Sequence, residues 1–501
     1  MRILLIALPL GLVMSAIGSA YGHGFGSTSN LPVPAFLYWY GGATVVALSF
    51  LLITIFIRRT ATNLSIGRRD LQNSVLVQRI IQSRTTNIIV KLPGVAALLL
   101  VIITGLLGNQ SPVENFAPTF VWVVWWVGFG FIHALLGNVW SVLNPWKSLY
   151  ELALFARGGR ESARVRPYPK QLGLWPAFVV FFSFVWIELV FPASASPQNL
   201  ALLTLMYSSL TWTGMWLFGK DVWLRHGEAF AVFFRILASF APTEVRNSNI
   251  ELCKQCPIDC HLDGECINCT WCSSRSKSRQ INLRTPALGL TRREITRFDH
   301  VAFVLLMLSS VTFDGLSRTL IWFEFFGVNP FTVTGRTLVV PINTLGLVGV
   351  FLFVLSTYYA FIYLVRQFSG TALPTKQIAF FFVLSLVPIA MVYQFAHYST
   401  FLLINGQFII RLLSDPFGFN WNIFGTSNFP IFTALDFLAV WHYQVALIVA
   451  GHIIGVYLAH KIALRTFGDH RSAVRSQYPM MLLMIIYTGV GLWLLSAPTI
   501  G

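Results

Sequence analysis

Of 501 residues, 55% are hydrophobic and only 11% charged, with a mean hydropathy of +0.67. A soluble domain carries roughly 25% charged residues, so this chain cannot cover a globular surface with solvated groups, and lipid is its main solvent. The formal charge of +16 points to Lys and Arg gathered in the cytoplasmic loops of a membrane protein rather than to a nucleic-acid partner.

The first residues give Arg2, an apolar run over 3–13, then Ser15, Ala16, Gly18, Ser19 and Ala20. This order predicts a signal peptide over 1–22; an uncleaved first helix is the alternative. Cleavage after Gly22 would make His23 of the HGFG leader the mature N-terminus, where amine and imidazole together suit copper. The plainer reading of His23 is an ordinary position in an extracellular leader.

A bilayer core needs roughly 20 apolar residues per helix. Such runs predict spans at about 35–57, 92–108, 118–138, 173–192, 198–218, 300–320, 338–365, 377–403, 434–460 and 478–496. With the mature N-terminus outside, 31 of the 35 Lys and Arg residues fall on the inner side; a wrong span count would scramble that asymmetry. The expectation is an all-α integral membrane protein of the bacterial inner membrane with ten spans and both mature termini outside. Spans one to five occupy 23–218, a cytoplasmic segment 219–299, and spans six to ten 300–501.

Three segments are more than linkers. Residues 140–156 and 221–240 mix apolar and charged positions at helical spacing and are expected to lie as amphipathic helices on the inner membrane face. The outer segment 404–433 contains SDPFGFNWNIFGTSNFP and is expected to form a folded lid or entrance loop.

All six cysteines fall within CKQCPIDCHLDGECINCTWC: Cys253, Cys256, Cys260, Cys266, Cys269 and Cys272. Paired thiolates two residues apart can turn onto one ion, as in zinc and iron–sulfur sites. The reducing cytoplasm disfavours stable disulfides. Zinc is expected, with iron–sulfur as the alternative and His261 as a possible extra ligand. Two three-cysteine halves could hold two ions, or one four-cysteine site could leave two thiols over. A staple for a loop without its own core is the expected role.

Ionisable residues inside spans are costly and mark functional candidates: His133, Glu188, Asp314, His397, Asp436, His442, His452 and His460. His397, His442 and Asp314 all fall at the outer leaflet and are the expected catalytic group. Imidazoles plus a carboxylate could bind a divalent metal that activates water; structural hydrogen bonding is the competing account. His133 and His452 are the sole mid-depth pair available for haem ligation. G-x-x-x-x-G-K-[ST], G-x-S-x-G and H-E-x-x-H are all absent, which leaves P-loop ATPases, elbow-type serine hydrolases and zincins without support.

The leader HGFG with LPVPAFLYWYGG, the stretch SVTFDGLSRT, AHYSTFLLINGQ with SDPFGFNWNIFGT, and WHYQVALIVAGHIIGVYLAHKIAL resemble a bacterial membrane-protein family commonly labelled fenitrothion hydrolase. The similarity covers nearly the whole mature chain. It implies hydrolysis of an organophosphorus triester, with release of a nitrophenol from a thiophosphate, and carries over no catalytic residue. The expected function is therefore a membrane-bound organophosphate hydrolase acting on a lipophilic small molecule with metal-activated water. The alternative is a transporter, or an assembly or sensor protein, for a metal or small solute.

Overall fold

Several of the long helices begin where a small polar side chain satisfies one of their first amides. In the computed structural model, which describes residues 34–57, 67–71, 83–158, 166–256, 261–262, 265–276, 279–292, 297–329 and 337–497, Ser83 Oγ accepts from Thr86 N at 3.2 Å. Asp436 accepts from Leu438 N and Asp469 from Ser472 N, both at 2.9 Å. Each such cap is worth about 1 kcal/mol. The predicted signal peptide and His23 lie outside the described residues.

The helices of the first half are α1 (Ala35–Phe56), α2 (Arg84–Leu107), α3 (Phe116–Leu136), α4 (Pro145–Ala156), α5 (Trp175–Leu189), α6 (Pro197–Phe218), α7 (Lys220–His226) and α8 (Ala229–Ala238). Two short helices follow, α9 (Ile250–Lys254) and α10 (Thr270–Arg275). The second half holds α11 (Phe298–Ser317), α12 (Leu320–Phe325), α13 (Val340–Ser369), α14 (Thr375–Asn405), α15 (Phe408–Ser414), α16 (Phe437–Phe467) and α17 (His470–Ser496).

All ten predicted spans are helical. Eight of them (α1, α2, α3, α11, α13, α14, α16 and α17) are long and apolar enough to cross a membrane. Helix α5, at 15 residues, reaches only about 22 Å at 1.5 Å per residue, short of a bilayer core of about 30 Å. Helix α6 has the length but interrupts its apolar run with Asn199, Thr204, Ser208, Ser209, Thr211 and Thr213. In α14 94% of the apolar stretch is buried, and in α11 72%, against half or less in the other six. These two therefore form the axis of the bundle, and the rest turn apolar faces outward, as helices in lipid do.

The middle of α3, Thr119–Gly128, is wound as a π-helix. Its amides reach back five residues (Phe129 N to Val124 O closes the run), and such windings recur at functional sites. Its neighbours Trp125 and Trp126 face different surroundings: Trp125 packs on Phe230 of α8, while the indole N–H of Trp126 donates to Glu188 of α5.

Residues 221–240 do not lie on the membrane face as one amphipathic helix. The chain breaks at Gly227, and the Glu228 carboxylate caps a second helix by accepting from Phe230 N at 3.1 Å and Ala231 N at 2.7 Å. Seven of the ten residues of α8 are buried, with Phe233 stacked on Phe181 and Phe234 on His133. The polar half of the pattern (Asp221, Arg225 and His226) belongs to α7. By contrast α4 buries Trp146 while exposing Leu152 and Phe155. Its Glu151 ties α2 and α7 together through Lys91 and Lys220, both at 2.8 Å.

The segment 219–299 also holds a small antiparallel sheet not foreseen in the sequence. Its strands are β1 (Arg69–Asp70), β2 (Thr243–Asn247), β3 (His261–Leu262), β4 (Glu265–Ile267) and β5 (Arg279–Leu283), in the order β1-β5-β2-β4-β3. Strand β1 comes from the loop between α1 and α2 and pairs Arg69 with Leu283. Beneath the sheet, buried Glu244 receives Arg68 at 2.6 Å and Arg284 at 2.8 Å.

Candidate functional site

The cysteines are carried by the sheet and its two short helices. Cys253 sits on α9 with Cys256 just beyond it, Cys266 on β4, Cys269 at the start of α10 and Cys272 within it. Asn268 turns the chain between β4 and α10 with a left-handed φ of 52°, a conformation Asn tolerates better than most residues. It is held there by exchanging bonds with Val245, N to O at 2.7 Å and Val245 N to Oδ1 at 2.8 Å. The five described cysteines are reduced, and none is more than 8% exposed. Among the described residues, the partly buried hydrophobic side chains packed against them are Val222 and Trp271. Cys260 and the side chain of His261 lie outside the described residues.

The sulfurs form two groups able to hold a metal ion: Cys253, Cys266 and Cys272, and Cys256, Cys269 and Cys272, with the ligand atoms of each group within 4.8 Å of one another. Cys256 Sγ and Cys269 Sγ are 3.7 Å apart. That is far beyond a disulfide bond of about 2.05 Å. It matches the roughly 3.8 Å edge of a tetrahedron of thiolates about 2.3 Å from an ion. The described sulfurs do not group as sequential halves: Cys253 and Cys256, and likewise Cys266 and Cys269, are split between the two sets, while the third C-x2-C pair, Cys269 with Cys272, shares one. The module is moored to α7 through Asp221, which receives Thr270 Oγ1 and Arg275 Nη1, each at 3.4 Å.

At the far end of α11 from this module, about 24 Å along the helix at 1.5 Å per residue, lies Asp314, 2% exposed. His397 Nε2 of α14 meets its Oδ2 at 2.9 Å, Tyr398 Oη donates to the same oxygen at 2.6 Å, and Arg318 Nε reaches Oδ1 at 3.0 Å. Tyr398 Oη also lies 3.1 Å from Glu188 Oε1, which Trp126 Nε1 bonds at 2.7 Å. Two carboxylates thus converge on one phenol hydroxyl, which has a single proton to give. Among the described residues, Arg318 is the permanent cation bonded to this group.

Two of the three expected catalytic residues are therefore brought together, and the third is not. Gln444 of α16 donates to Ala396 O on α14 at 2.7 Å, so His442, two residues earlier and about 200° round the helix, points away from His397. Its ring meets Tyr38 of α1 at 3.4 Å and its own helix at Leu438 O, 2.9 Å. Among the described residues no third His, Cys, Asp or Glu donor joins Asp314 and His397 within 4.8 Å, so the ligand set expected for a divalent ion is not assembled there. Tyr398, Arg318 and Trp126 were not singled out in the sequence. Arg318 was within reach of it, standing one helical turn from Asp314; Tyr398 and Trp126 carry no charge to flag them.

Comparison with protein-family models, curated proteins and solved structures returned no match.

Three of the other candidates are occupied structurally, while His452 keeps a buried Nε2 with no hydrogen-bond partner among the described residues. His133 Nε2 accepts from Trp140 N at 2.8 Å while Nδ1 meets Phe129 O at 2.6 Å, so neither nitrogen is available for haem. His460, expected near the interface, is fully buried between Gln477 Oε1 at 3.0 Å and Ile57 O at 2.8 Å. Asp436 caps α16. His452 is buried with Nδ1 on Ile448 O at 2.8 Å. On the Trp125 side of α3, and lined by none of Asp314, Glu188, His397 or Tyr398, a cavity of about 610 Å³ is walled by Trp122, Trp125, Trp140, Trp146, Phe184 and Tyr207. This volume is in the range of small-molecule sites, and its walls suit an apolar guest.

Proposed function

We propose that this protein is a multi-pass membrane hydrolase of lipophilic organophosphorus esters, with His397 as general base, Asp314 as the residue that positions it and Arg318 as the charge facing the developing anion. One observation carries this reading: a buried carboxylate holds the Nε2 of an imidazole whose side chain is 27% exposed. Asp314 accepting from Nε2–H assigns the tautomer and leaves Nδ1 as the base. The water oxygen forms a bond to phosphorus, its proton passes to His397, and the bond from phosphorus to the aryl oxygen breaks. The nitrophenolate leaves with the bonding pair and is protonated from His397 or solvent; the other product is the dialkyl thiophosphate. A dyad of this kind replaces the metal-activated water expected from the sequence. The exposed aromatics Phe419, Trp421 and Phe424 of the 404–433 segment supply a surface for an aryl ester.

The cysteine module is proposed to carry zinc as a structural ion on the cytoplasmic face, where 31 of 35 basic residues gather, and the dyad to open at the outer face of the bacterial inner membrane. The test is nitrophenol release by purified protein in lipid nanodiscs. Turnover by wild type that is lost in a folded His397→Asn variant is expected; no turnover in wild type, or the same turnover in the variant, refutes the hydrolase.

A second reading, proton-linked transport of a small solute, is favoured by the Glu188–Tyr398–Asp314–His397 chain, which leads from the bundle interior to a partly exposed imidazole. It expects uptake into proteoliposomes under a proton gradient, abolished by Glu188→Gln. Uptake that ignores the gradient or survives the substitution removes this reading.

A further inference from the structure

We infer that the cysteine module holds two metal ions that share the thiolate of Cys272. The inference rests on the proposal that the module binds metal. It deepens that proposal by fixing how many ions there are and which sulfur joins them.

One tetrahedral ion with thiolates at about 2.3 Å needs four sulfurs, every pair of them roughly 3.8 Å apart. The described cysteines offer no such four. They offer two threes, and among the described residues no other combination of three meets within 4.8 Å. Cys253 and Cys266 therefore stand on one side of Cys272, and Cys256 and Cys269 on the other. Each three is one face of a coordination tetrahedron, and the two tetrahedra meet at one corner. A thiolate has lone pairs enough to serve both.

The local structure explains the splitting of the pairs. Cys253 is held in α9 while Cys256 follows the end of that helix. Cys266 is held in β4 opposite Asn247, and the left-handed Asn268 reverses the chain before Cys269. The members of these two C-x2-C pairs thus turn to different sets, while Cys269 and Cys272, both at the start of α10, face the same one. Cys272, in α10 and with no exposed surface, occupies the centre.

Charge favours the same count. Four thiolates on one divalent ion, with the fifth cysteine left as a neutral thiol, would carry a net charge of −2; five thiolates shared by two ions carry −1, a smaller desolvation cost. Each ion displaces the protons of the thiols it binds, and these pass to solvent with no change of oxidation state.

The experiment is metal analysis of the full chain in nanodiscs, followed by exchange with cadmium-113 and NMR. Two ions per chain and two cadmium resonances, each split by the other through the shared sulfur, are expected. A single ion per chain, or two resonances without mutual splitting, overturns the shared thiolate while leaving metal binding intact. No bound metal overturns both. Acid-labile sulfide in the protein also overturns the inference, because sulfide rather than Cys272 would then join the metals. Cys272→Ser should lose both ions and Cys253→Ser only one. The splitting in wild-type protein decides the matter even where Cys272→Ser does not fold.

Discussion

Asp314→Asn separates the two roles assigned to this carboxylate. Asp314 accepts from His397 Nε2 at 2.9 Å and Tyr398 Oη at 2.6 Å on one oxygen, and from Arg318 Nε at 3.0 Å on the other. The amide has only one oxygen to offer. Placed toward His397 and Tyr398, it turns its nitrogen against Arg318, donor facing donor, and Arg318 must swing away. Arg318 is 47% exposed, so water receives it. The expected cost is one charge-assisted hydrogen bond, about 1.5–3 kcal/mol, rather than the ~3–5 kcal/mol of a fully buried pair broken on one side. Turnover should suffer more. The imidazole loses the anion that stabilises its protonated form, and general-base catalysis contributes roughly 10²–10⁴-fold. The loss should appear in kcat with little change in KM, because Asp314 acts through His397. Nitrophenol release across a substrate series and denaturant unfolding in nanodiscs measure the two effects separately. Turnover above a tenth of wild type together with an unfolding shift below about 0.5 kcal/mol would refute the reasoning.

Other substitutions probe the surrounding structure. His442→Ala should leave turnover within about twofold and stability within about 0.5 kcal/mol, because its ring makes one long contact to Tyr38 at 3.4 Å and one to its own helix; a large loss of turnover would restore it to the catalytic group. Gly491→Ala should destabilise the bundle by about 1–3 kcal/mol or more, since a Cβ there would fall on the Tyr393 hydroxyl. Adding Tyr393→Phe should recover part of that loss, and a double variant no better than the single would show that the clash is not the cause. Burial pushes the Glu151 carboxyl up, but Lys147 and Lys220 outweigh it and hold the group at about 2, below the ordinary 4.5. Its contribution to stability is therefore present above pH 4.5 and lost as pH falls toward 2. Unfolding followed across that range should lose much of its pH dependence in Glu151→Gln, and identical profiles would contradict the assignment.

The transmembrane helices are legible in the sequence because long apolar runs have few alternatives. The sheet is not: TEVRN and RQINL are short and polar, with no alternation to betray a buried face. The helix predicted over 221–240 failed because periodicity summed across Gly227 joins a polar helix to an apolar one. Depth along a span can be counted from residue numbers, and that count sets Asp314 and His397 at the same level. Azimuth cannot be counted without knowing which face packs where, and for His442 that was set by Gln444 reaching Ala396. The cysteines announce a site, yet which sulfurs share an ion depends on the reversal at Asn268 and the end of α9, features of backbone shape rather than of spacing.

The pairing of Arg69 with Leu283 sets an order of assembly. Strand β1 is synthesised before any of α2 to α10, and its partner β5 follows more than two hundred residues later. While α2 to α10 are being made, β1 and Arg68 precede the β5 and Glu244 they will join. Closure of the sheet is thus a late, long-range event of the kind that slows folding, and it comes only after the cysteine segment has been made. The sheet that carries the cysteine segment then joins the loop between α1 and α2 to the segment leading into α11, so that its closure also records that the first half of the protein has been made.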